Sequence, residues 1–209
     1  MARIVRTSIL DIPQAAIDLL RIAHLFCFAA GMGTALYFDF RALGAISRPS
    51  TTEDIAQLEH IHNWIAVAFL GLWITGIALV YVRTGFQISA FSPKLWLKLG
   101  LMTLMTLNTK IIAAFIMPLM RNNVHRALSD LPLMRYVAAS QAAILSMFCW
   151  SSGVFLGASV VLKTAPWDVL IPLFVGWFIL LTVAGQCVAI LAYKLATRDA
   201  RNIANTAAP

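Results

Sequence analysis

Residues 95–117 read LWLKLGLMTLMTLNTKIIAAFIM. About 20 predominantly apolar residues suffice to cross a bilayer as a helix, so this stretch is long enough to span. With no water in hydrocarbon, every backbone group must bond within the segment, which leaves the helix as the structure available to a single apolar run. Ser92-Pro93 supplies a capping hydroxyl and a proline for its first turn, and Pro118 closes it. Lys110 lies inside this run and Lys98 lies near its start. A central ammonium costs about 3 kcal/mol or more in hydrocarbon. Such a group is kept only if it snorkels to the interface, finds a partner, or serves a function.

Working outward, four more apolar runs qualify as spans, at 17–38, 62–82, 136–162 and 169–195. The chain is 60% apolar and 12% charged over 209 residues, about half the charge of a soluble domain. The expectation is an all-α fold: one integral membrane bundle of five transmembrane helices over 1–209. Asp11-Ile12-Pro13 reads as the start of the first helix. The opening residues mix Arg, Asp and Pro and do not read as a cleaved signal. The connection 39–61 carries Ser50-Thr51-Thr52-Glu53-Asp54, a helix-start signal, so the second helix should project about two turns into water. Gly153 and Gly157 form a GxxxG pair suited to close helix approach, with Gly31, Gly33, Gly71 and Gly76 in similar settings.

The net charge is +7. The cations are spread over short loops, which excludes a nucleic-acid patch and suits lipid head groups and topology. With the C-terminus inside, the cytoplasm receives Arg41, Arg48, Arg121, Arg126, Arg135, Lys194, Arg198 and Arg201. The outside receives Arg3, Arg6, Arg83, Lys94 and Lys163. The excess predicts an outside N-terminus in a bacterial inner membrane. Cys27, Cys149 and Cys187 all fall in apolar runs with no CxxC spacing and read as inert thiols. No HExxH, phosphate loop or G-x-S-x-G is present, so hydrolase and nucleotide chemistry have no support.

No acid lies deep in any of these spans, so the intramembrane ionisable groups are cationic or neutral, which suits an anionic ligand held between helices. His24, in the first third of the first span, either bonds a neighbouring helix or acts as an axial haem ligand oriented by a partner on its other nitrogen. Arg21, one turn toward water, either pairs with Asp18 or meets a haem propionate. Lys98 either snorkels or serves as a second ligand or counter-charge, at a depth matching His24. Lys110 lies about 18 Å further along the same helix than Lys98; it snorkels or joins a polar patch with Asn108 and Thr106. His60 and His62 point to different sides of a helix, whereas His62 and His125 form a candidate second metal site. Met102, Met105, Met117 and Met120 stand at helical spacing and read as packing.

Three stretches together, AHLFCFAAGMGTALYFDFRALG, LWITGIALV and SPKLWLKLGLMTLMTLN, resemble small helical membrane proteins grouped around copper-resistance protein D and the bacterial haem-dependent protoporphyrinogen oxidase. The resemblance covers roughly residues 20–120. It implies that a first-span histidine and a third-span lysine serve haem binding and activity; by position these are His24 and Lys98. The Asp39-Phe40-Arg41 end of the first span and the His60, His62 pair depart from the pattern, so protoporphyrinogen oxidation is not carried over. The leading expectation is therefore a membrane protein that binds haem b and moves electrons, as an oxidoreductase or carrier. Its partners would be the bilayer, quinone or another redox membrane protein, and a second copy. Two other readings stand beside it. One is a non-catalytic subunit or assembly factor of a larger membrane complex. The other is a metal or anion transporter with Lys110 and Asn108 lining its path, although five helices are few for that task and no inverted repeat is seen.

Overall fold

The computed structural model describes residues 13–44 and 46–206. Among these residues there is no strand, and five helical stretches are long and apolar enough to cross a membrane. Helix α1 (Gln14–Gly44) packs chiefly against α2 (Thr52–Thr84). Helix α3 (Pro93–Ile111) continues through a π-helical turn, Ile112–Ile116, into α4 (Met117–Arg121). Helix α5 (Leu133–Ala158) packs on α3 and on α6 (Trp167–Thr206). The result is an all-α, multi-pass membrane bundle.

The helix ends follow from local chemistry. The Thr51 hydroxyl accepts from Asp54 N–H at 3.1 Å, and the Asp54 carboxylate accepts from Thr51 N–H at 3.0 Å. This reciprocal cap, worth about 1 kcal/mol, starts α2 well ahead of its apolar part, as the sequence predicts. At its other end Gly85 takes the left-handed conformation (φ 57°), a conformation glycine adopts at little cost, and its N–H bonds Tyr81 C=O. Ser92 caps α3 by accepting from Leu95 N–H, with Pro93 in the first turn. The Asp11 and Ile12 expected to start α1 lie outside the described residues.

Phe69 and Leu72 from α2, Leu101 and Met105 from α3, Phe148, Trp150 and Leu156 from α5, and Leu170 and Phe174 from α6 form the main core. Glycines set how closely the helices meet. A Cβ on Gly31 would stand 2.5 Å from the Trp150 ring, one on Gly153 2.7 Å from Phe28, and one on Gly71 2.6 Å from Cys27 Sγ. Gly153 thus meets the GxxxG expectation, whereas Gly157 and Gly33 face open space. Leu19, Leu25, Phe26 and Phe40 on α1 point outward, where hydrocarbon rather than water surrounds them.

Several boundaries differ from the sequence reading. Helices α1 and α6 run beyond their apolar spans, because hydropathy marks only the hydrocarbon zone while the hydrogen-bond ladder continues past it. Pro118 does not end the third span: the chain widens by one residue ahead of it, Met117 N–H bonding Ile112 C=O, and the helix continues to Arg121. The fourth span stops at Ala158 rather than at 162, because Ser159 is extended and Leu162 N–H turns back onto the Ser159 hydroxyl. Asp39, placed outside every span by the sequence, is carried half-buried on the continuous apolar helix α1.

Candidate functional site

His24 projects from α1 onto α2, where its Nδ1 lies 2.8 Å from the Thr75 hydroxyl oxygen. That hydroxyl has one proton, and it is directed to Gly71 C=O at 2.7 Å, with a longer contact to Leu72 C=O. The threonine oxygen is therefore left to accept, so Nδ1 of His24 carries hydrogen and donates. In a neutral imidazole this leaves Nε2 bare, with its lone pair in the ring plane. Glycine at 76 adds room: even a Cβ there would only reach ordinary contact, 3.5 Å from His24 Cε1.

Lys98, half-buried in the second turn of α3, lies close enough to bear electrostatically on His24. Helix α3 is held beside α2 by Trp73, whose indole N–H donates to Thr106 at 3.2 Å. His24 and Thr75 thus meet across α1 and α2, and Lys98 on α3 bears on His24 electrostatically. Thr75 was missed by sequence reasoning: a threonine in an apolar run bears no mark until the facing histidine is known. Arg21 takes the plain alternative. It pairs with Asp18 at 2.9 Å, both side chains 52% exposed.

Other candidates are separated by the structure. Asn108 is 2% exposed and donates to Ala142 C=O at 3.0 Å, while its Oδ1 is buried without a partner. Lys110 is exposed on the outside of the same helix. Residues two apart point about 200° apart around a helix, so these two do not line one path, and the transporter expectation loses its lining. His125 sits in the turn after α4, its backbone N–H bonded to Ser50 C=O at 2.9 Å. Ser50 precedes α2, and His62 lies about 15 Å further along that helix, too far for one metal ion to join the two. Residue His60 is exposed, and its Nε2 already accepts from Trp64 at 2.8 Å. Among the described residues no group of three or more His, Cys, Asp or Glu is placed to hold a metal ion.

Comparison of the chain with known protein families, with curated proteins and with solved structures finds no match.

Proposed function

We propose that this protein is a b-type haem protein of the bacterial inner membrane, with an outside N-terminus and an inside C-terminus, that passes electrons to or from quinone or another redox membrane protein. The single observation that supports the reading most is the hydrogen bond from His24 Nδ1 to Thr75. It fixes the ring and leaves Nε2 as the nitrogen for iron, the arrangement in which a ligating histidine is oriented by its other N–H. A single axial imidazole needs no cluster of further ligands. Lys98, which bears electrostatically on His24, would be the second ligand or the counter-charge. Arg21 serves a propionate at the aqueous edge by turning from Asp18, an exposed pairing that costs little to break. The bound group supplies one-electron chemistry; the chain sets its potential through axial ligand, burial and nearby cations.

The test is the visible spectrum of the detergent-purified protein after haem-replete expression. Soret and α bands in the reduced-minus-oxidised difference are expected, lost in His24→Ala and kept in His125→Ala. Wild-type protein without either band refutes the proposal.

A further inference from the structure

Three arginines near the start of α2 and the end of α4 are matched by acids. Arg48 and Arg41 reach Asp54 at 2.9 and 3.8 Å, and Arg121 reaches Glu59 at 2.6 Å. At the opposite end, four cations converge from three segments. Arg83 is in the last turn of α2, Lys94 and Lys98 are in the first two turns of α3, and Lys163 is in the turn after α5. Lys94 donates to Ser159 C=O at 3.0 Å, which pins the start of α3 to the end of α5 and brings it beside Lys163. Lys94 lies within electrostatic reach of both Lys163 and Arg83, and Lys98 of Lys94 and Arg83. Among the described residues no ion pair involves any of the four. Of the acids at this end, Asp18 is held by Arg21, and Asp168 in the first turn of α6 makes no ion pair with them.

Gathering like charges without a counter-charge is unfavourable, and a bound anion relieves it. The cluster sits where helices leave hydrocarbon, the level of lipid phosphates. Lysine and arginine give phosphate oxygens charge-assisted hydrogen bonds from several directions. We infer that Arg83, Lys94 and Lys163 form a binding site for a phosphate-bearing anion, with Lys98 as the deep positive charge beneath it. The phosphate belongs either to an anionic lipid head group or to a free phosphate, and the site stands independently of haem.

The full chain is reconstituted in phosphatidylcholine nanodiscs carrying spin-labelled phosphatidylglycerol or spin-labelled phosphatidylcholine, and the immobilised fraction is read by electron paramagnetic resonance. Preference for phosphatidylglycerol is expected, weakened about fivefold by each cation changed to glutamine, erased in the triple variant Arg83→Gln/Lys94→Gln/Lys163→Gln, and kept in Lys110→Gln. Inorganic phosphate is added at matched ionic strength. Lipid preference that resists it identifies the head group as ligand; displacement, with phosphate binding seen by calorimetry, identifies free phosphate. Should the triple variant not fold, Lys163→Gln alone carries the test, because that side chain is exposed and bonds nothing. Absence of both lipid preference and phosphate binding in the wild type, or preference unchanged in the variants, overturns the inference. The variants leave His24, Thr75 and Lys98 intact, so their visible spectrum reports on haem separately.

Discussion

Thr75→Val keeps the shape of the threonine and removes the one acceptor facing His24 Nδ1. Two effects follow from the 2.8 Å contact. The ring nitrogen loses its partner in a half-buried setting; an unsatisfied buried donor costs about 1–3 kcal/mol, and partial exposure puts this case near the lower end. The imidazole also becomes free to rotate and to move its proton to Nε2, the nitrogen assigned to iron. Loss of such an orienting partner weakens metal binding about 10–100-fold. Haem titration of the detergent-purified apoprotein, followed at the Soret band, measures the second effect, and thermal unfolding of the apoprotein measures the first. Thr75→Ser retains the hydroxyl and should restore both. Valine and wild-type proteins that titrate alike and melt alike would refute the reasoning, since the hydroxyl would then neither hold the ring nor select its tautomer.

Gly31→Ala and Gly71→Ala force a Cβ to within 2.5 Å of Trp150 and 2.6 Å of Cys27 Sγ; each should lower stability by about 1–3 kcal/mol, while Gly157→Ala, which meets nothing, should leave the thermal midpoint unmoved. Asn108→Leu removes one hydrogen bond together with a buried acceptor that has no partner, so its unfolding free energy should stay within about 1 kcal/mol of wild type, whereas Asn108→Asp buries a charge and should destabilise clearly in the same denaturation assay.

Much of the fold was legible because apolar length is a strong signal. All five spans and a helix start within residues 50–54 could be read directly from the chain; which of those residues make the cap could not. The errors came where hydropathy and hydrogen bonding part company. Asp39 was assigned to a loop because the apolar run fades before it, yet the α1 ladder carries on to Gly44. Pro118 read as a stop because it lacks an N–H, but the chain absorbs that lack by widening one turn. At the site, residue counting put His24 and Lys98 at one depth, and the structure brings them within electrostatic reach. Their azimuth was not legible, nor was the partner 51 residues away that orients the histidine. Asn108 and Lys110 were grouped by nearness in sequence, where helical rotation sets them apart. Arg83, Lys94 and Lys163 were counted for topology one by one; only the meeting of helix ends makes them a cluster.

The widened turn before Pro118 has a consequence beyond tolerating the proline. One additional residue advances everything after it by about 100° in helical phase. In an uninterrupted α-helix Arg121 would leave the helix along a different bearing from the one on which it now meets the Glu59 carboxylate at 2.6 Å. The irregularity therefore acts as a phase corrector: it dials the tail of the third span onto the second, and the distance from Arg121 to Glu59 is its gauge.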